Sequence, residues 1–248
     1  MADSFLRGNA WFMYNRLERD FIETTSYVAL SKVHSKVWSE RFGDLLTRTG
    51  DLVDSFFRFM VNSKSLDDEK TIIELREKIE KKRQRDVNWH PNIADFGTTF
   101  EPIFQLSSVE VEAGYGLTDY GKLQPFEDFG KKSPFWWIPY NKVKHEIFEQ
   151  IERQATLENT INALAGLFVL NILHKESQRY LIRHTNVIDF RYLNKQQTEM
   201  QLMKSMIGIP KEFYSWEVSA ETPLFIHLFR IDKDVEAEEI PIFGKFSE

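Results

Sequence analysis

The stretch FGDLLTRTGDLVDSFFRFM, residues 42 to 60, decides the fold class. Within it Phe42, Leu45, Leu46, Val53, Phe56, Phe57 and Met60 form one wide apolar stripe, interrupted only by Thr49 and Gly50. Recurrence every three and four residues is the signature of an amphipathic helix with one face in a core. The spacing predicts a long helix from about Val37 to Asn62. A glycine inside a helix costs about 1 kcal/mol relative to alanine, so Gly50 points to close packing or a small bend.

Working outward, Tyr14, Leu17, Phe21 and Val28 recur at helical spacing and predict a helix from Trp11 to about Leu30. On the other side Ser65 and Asp68 read as a capping pair, and Glu74 with Lys78 and Glu77 with Lys81 are one turn apart. They predict a third helix from about Leu66 to Gln84, placed on the outside because its stripe is limited to Ile72, Leu75 and Ile79. A fourth helix starts near Phe135. A fifth, from about Leu157 to Lys175, is apolar around most of its circumference at Ile161, Leu164, Ala165, Leu167, Phe168, Leu170 and Ile172, which marks it as central.

Between Asp86 and Ser133, prolines and scattered glycines break any sustained period, yet Trp89, Phe96, Phe100, Phe104, Tyr115, Tyr120, Phe126 and Phe129 are far too many aromatics for disorder. We read an ordered excursion capping one end of the helices, with a short strand at Ser108 to Glu112. After Arg179 the pattern loosens into a short helix near Gln196 to Ile207, a strand at Leu224 to Ile231, and a tail that docks or frays. The expected organisation is a helical domain over 1–180, including the excursion 86–133, and a C-terminal appendage with an acidic tail over 181–248.

Composition narrows the function classes. A chain of 248 residues with 42% hydrophobic content is long enough for a core without staples. It has no cysteine, which excludes disulfides and thiolate metal sites. The longest apolar run, Ile161 to Leu173, contains Asn162 and Asn171 and is shorter than the roughly 20 residues a membrane helix needs. No membrane partner is expected, and with no leader pattern at Met1 a cytoplasmic location is. A net charge of −6 argues against a broad, sequence-independent grip on nucleic acid. The run Lys78, Lys81, Lys82, Arg83 and Arg85 reads as a solvated helix end whose cations complement the dipole. His34, His90, His145, His174, His184 and His227 are dispersed, with no His-x-x-x-His pair, and phosphate-cradling glycine loops and nucleophile elbows are missing. Neither metal nor cofactor is expected.

The segment Trp136 to His145 carries the densest chemistry. On a helix Trp137, Asn141 and His145 fall four apart on one face, with Tyr140 and Lys144 in the adjoining row. Such a face offers a ring for stacking, an amide, an imidazole and a cation. A histidine near its ordinary pKa of about 6.5 can move a proton at a phosphodiester, and Lys142 or Lys144 can hold the phosphate. The alternative is that the tryptophans are core and that Asn141 and His145 fix local backbone.

The run from Tyr115 through Glu176, with Pro134-Phe-Trp-Trp, the residues Tyr140 to His145 and the segment Ala155 to Phe168, resembles a family of uncharacterised microbial proteins with a WWxxYNxVKH motif. The resemblance extends to Tyr27-Val28 and to Gly50-Asp51-Leu52-Val53-Asp54. More distantly the chain is similar to the HEPN superfamily, whose catalytic members are metal-independent ribonucleases with an Arg-polar-x-x-x-His motif. Aligning the motif histidine with His145 puts Asn141 at the polar position and Tyr140 where the family has its phosphate-binding arginine. A tyrosine there lacks the fixed charge and five-donor fork. Arg85 with His90 and Arg179 with His184 match the same loose spacing.

The expected architecture is therefore mainly α, an antiparallel helical bundle of HEPN-like kind with a small irregular or β-containing C-terminal region. Two functions follow. One is a HEPN-like protein binding RNA or nucleotide, a degenerate ribonuclease in defence or stress, with His145, Asn141 and Tyr140 catalytic, with Lys142, Lys144, Trp137 and Arg153 on substrate, and working as a homodimer. The other is a non-enzymatic protein-interaction or scaffolding module in which the same residues are structural.

Overall fold

A computed structural model describes residues 2–113, 120–185, 187–189 and 216–231. Among them are eight α-helices and five strands: α1 Ala2–Thr25, α2 Glu40–Val61, α3 Lys70–Arg83, α4 Ile93–Phe104, β1 Val111–Ala113, β2 Lys122–Leu123, α5 Trp137–His145, α6 Ile147–Gln154, α7 Leu157–Leu173, α8 Lys175–His184, β3 Ile188–Asp189, β4 Trp216–Glu221 and β5 Phe225–Ile231. The protein is mainly helical, with a small antiparallel sheet in the order β2-β1-β5-β4-β3.

Helices α2 and α7 form the centre. The first opens on Ser39, whose hydroxyl accepts the Phe42 amide, and the second on Thr156, whose hydroxyl accepts the Asn159 amide. Each cap satisfies a donor that a helix start leaves orphaned. The chain just before α2 is pinned to the start of α7 by Leu157 N–H donating to Val37 at 2.9 Å and Ser39 N–H donating to Ala155 at 3.3 Å. Every residue of α7 from Thr160 to Ile172 is buried. Its two buried asparagines donate to their own helix, Asn162 to the Glu158 carbonyl and Asn171 to the Leu167 carbonyl, so their amides need no outside acceptor. Helix α1 lays Trp11, Tyr14, Leu17 and Phe21 onto this pair, and α5 packs on α2 from another side.

The excursion differs from the sequence reading by holding a helix. Asn92 accepts the amides of Ala94 and Asp95 while Asp95 accepts the Asn92 amide, a complete capping box that starts α4. A left-handed Gln105 (φ 50°) ends it, and Pro102 is accommodated in its last turn. Phe96 and Phe100 stack on Phe57 of α2, with ring centroids 5.3 and 5.4 Å away, and Phe129 joins at 5.6 Å. The excursion thus covers one flank of α2 with aromatic rings.

Other boundaries shift as well, among them the first helix, which runs over Ala2–Thr25, and the first strand, which is Val111–Ala113. Ser65 and Asp68 do not cap α3, which begins at Lys70 after a short 3-10 turn at Lys64–Leu66. The helix carrying the Trp-Trp motif stops at Glu146 (φ −135°, ψ 46°), and α6 follows as a separate helix. The buried helix ends at Leu173, where extended backbone at His174 turns the chain into α8. Strand β5 lies within the range the sequence indicated and pairs with β1 of the excursion, so residues after 216 share a sheet with residues before 124. The expected helix at Gln196 to Ile207 and the acidic tail lie outside the described residues. Among the described residues no helix is long and apolar enough to cross a membrane.

Candidate functional site

The local chain explains how the α5 residues are aimed. Trp136, fully buried, donates through its indole N–H to the Pro125 carbonyl at 2.7 Å, which fixes the start of α5. From there the inward row is Trp137, Tyr140 and Val143. The Trp137 and Tyr140 rings lie 4.9 Å apart, and the Tyr140 ring rests on the bare α-carbon of Gly50 in α2.

At the edge of this packing Tyr140 donates its hydroxyl to Asp51 Oδ1 at 2.6 Å. Lys144 Nζ donates to the same oxygen at 2.7 Å and to the Tyr140 hydroxyl oxygen at 2.9 Å. Three polar groups from two helices thus close into a ring of hydrogen bonds. Burial, reinforced by the bond to Asp51, pushes the Tyr140 phenol up to about 12. The bonds to Asp51 and then to Tyr140 hold the Lys144 ammonium above the ordinary lysine range. Both groups keep their protons at neutral pH, so neither serves as a general base there, and the lysine charge faces a carboxylate.

The remaining expected site residues lie apart from this triad. Asn141 is half-buried, and Lys142, His145 and Arg153 are exposed. No hydrogen bond or ion pair among the described residues joins any of these four to Tyr140, Asp51 or Lys144. Trp137 is only 7% exposed and turned into the core, leaving no free face for a base to stack on. The second motif match resolves into a contact between His90 Nδ1 and Arg83 Nη2 at 3.2 Å, with Arg85 outside it. The side chains of Arg179 and His184 lie outside the described residues.

No family model, no curated protein and no solved structure matches this chain. Its reading therefore rests on its own geometry.

Among the described residues are two recesses of ligand size. One, of about 390 Å³, lies between the start of α7 and the β2 region and is lined by Lys32, Glu110, Tyr120, Lys122, Glu127 and Glu158 among others. The other, of about 260 Å³, is apolar and lies between α1, α2 and the α7–α8 junction. None of the seven expected site residues lines either. Among the described residues no three His, Asp or Glu side chains cluster as a cation would need. The partner that sequence reasoning did not assign to the site is Asp51. Its one signal was its place in the Gly50-Asp51-Leu52-Val53-Asp54 run, because nothing in spacing links residues 93 apart.

Proposed function

We propose that this chain is a non-enzymatic protein-interaction module, a HEPN-like helical domain in which the motif residues are structural. One observation carries the reading: Tyr140 and Lys144 are both spent on Asp51. A ribonuclease site needs a cation facing the scissile phosphate and an imidazole near it. Here Lys144 is held by a carboxylate, and His145 points from the exposed end of α5.

The surface offered to a partner is the corner between α5 and α6. Ile138 and Ile147 are about half exposed and Phe148 is 98% exposed, at a corner whose exposed charges include Lys142, Glu146, Glu149, Glu152 and Arg153. An aromatic anchor with charges of both signs around it suits a protein partner with an apolar pocket and a polar border. A second copy of this chain is the simplest case, read directly by light scattering at micromolar concentration.

The deciding experiment is cleavage of a mixed RNA pool in chelator by wild type and His145→Ala, beside photo-crosslinking from a benzophenone side chain at position 148. The reading expects equal inactivity of the two proteins and a discrete protein adduct. Chelator-resistant cleavage lost in His145→Ala sinks it and restores the RNA-directed alternative.

A further inference from the structure

We infer that the apolar recess between α1, α2 and the α7–α8 junction is a binding site for a neutral bicyclic aromatic molecule bearing one hydroxyl. The recess lies where four helices meet without filling the space between them. Asn9, Ala10 and Met13 come from α1, Leu52, Ser55, Phe56 and Phe59 from α2, Leu167 from α7 and Ser177 from α8. Its floor is buried at Phe56, Leu167, His174 and Ser177, while Met13, 46% exposed, and Ser55 stand at its mouth. The space is therefore reachable from solvent and is not a sealed packing defect.

Volume sets the size of the occupant. An apolar cavity of about 150 Å³ stays dry and takes benzene. At about 260 Å³ this one has room for two fused rings. Its walls are mostly hydrocarbon, and water finds few partners there, so a flat apolar body displaces poorly held solvent.

The floor supplies a buried polar contact. The edges of Phe56 and Phe59 meet the His174 imidazole at 86° and 71°, each with centroids 5.6 Å away, which fixes the ring plane. His174 Nδ1 lies 3.2 Å from Ser177 Oγ. A serine hydroxyl has one donor and two acceptor positions, so its bond to the imidazole leaves capacity for a ligand group. That group is neutral. A charged head of either sign would lose its water among Phe56, Phe59, Leu52 and Leu167.

The probe is 2-naphthol, titrated calorimetrically into the intact chain, with 2-naphthoate as the anionic comparator. Wild type is expected to bind 2-naphthol saturably with Kd of about 10 to 100 µM, the range that suits a ligand of this size. Ser177→Ala should weaken binding about tenfold, the effect of one hydrogen bond. Ser55→Trp, at an exposed mouth position, should abolish binding while the circular dichroism and Tm stay those of wild type. Absence of saturable binding by wild type, or binding unchanged in Ser55→Trp, overturns the site. Naphthoate bound as tightly as naphthol, or unchanged affinity in folded Ser177→Ala, overturns the assigned head group.

Discussion

Gly50 and Tyr140 compete for the same space. A β-carbon on residue 50 would lie 2.5 Å from Cε2 and Cγ of the Tyr140 ring, well inside contact distance. The ring is locked by Trp137 on one side and by its bond to Asp51, so it cannot swing away cheaply. Gly50→Ala should therefore destabilise the fold by about 2 to 3 kcal/mol in urea unfolding, overpacking outweighing the helix-propensity gain of about 1 kcal/mol. Adding Tyr140→Leu should recover part of that loss, and strict additivity of the two substitutions would refute the steric account.

The Tyr140–Asp51–Lys144 triad makes an alkaline signature. Tyr140 has its pKa raised to about 12 in the folded protein, above the ordinary value of about 10. A raised pKa means that the folded state binds the proton more tightly, so this contribution is fully present below pH 10 and lost as pH rises through 12. Lys144 is shifted in the same direction and acts with the same sign. Asp51→Asn should lower the Tyr140 midpoint, read at 295 nm as the difference from Tyr140→Phe, and make the alkaline loss of stability shallower. At neutral pH the cost should stay within about 1 kcal/mol, because the Lys144 and Asp51 side chains are 39% and 50% exposed and water screens the pair. An unmoved midpoint would mean that burial alone sets the tyrosine.

The α4 cap predicts a local effect. Asn92 takes the Ala94 and Asp95 amides, and Asn92→Ala orphans both at an exposed helix start. A loss of about 1 kcal/mol is expected in urea unfolding. Asn92→Ser should restore most of it. Equal loss in both variants would show that the amide does something other than cap.

What the sequence made legible follows from how strongly packing is written into period. The stripes of α2 and α7 are wide because both helices are central, and their ends agree with the sequence reading to within a few residues. Helix α4 was hidden because Pro91, Gly97 and Pro102 read as breaks, yet one proline precedes the cap and the other sits in the last turn. The signal that could have found it was Asn92 with Asp95. In α5 the rows themselves were legible, including the adjacency of Tyr140 and Lys144, but a nine-residue helix has too little period to say which row turns inward. Burial of Trp137, Tyr140 and Val143 decided that, and it left Lys142 and His145 in solvent. Asp51 was beyond reach because its partners are 89 and 93 residues away.

Glu18 ties the first helix to the C-terminal strands and gives the protein an acid-to-neutral stability slope. Its carboxylate, 3% exposed, accepts the Tyr14 hydroxyl at 2.8 Å and the Leu224 amide at 3.2 Å. Burial raises its pKa, and hydrogen bonds from Thr222, Tyr14 and Leu224 draw it only part of the way back. Because the folded value lies above the unfolded one, the contribution is fully present below the ordinary glutamate value of about 4.3 and is lost as pH rises through the folded value. Glu18→Gln keeps an oxygen that can accept both donors but cannot ionise. The stability difference between wild type and Glu18→Gln should therefore fall as pH rises from about 4 toward 7, measured by urea unfolding at each pH. Glu18→Ala, which strands the Leu224 amide and the Tyr14 hydroxyl, should cost about 2 to 3 kcal/mol near pH 4, and that cost should fall in parallel as pH rises because alanine does not ionise either. A flat difference curve between wild type and Glu18→Gln would show that the carboxylate is as well solvated by its three donors as it is by water.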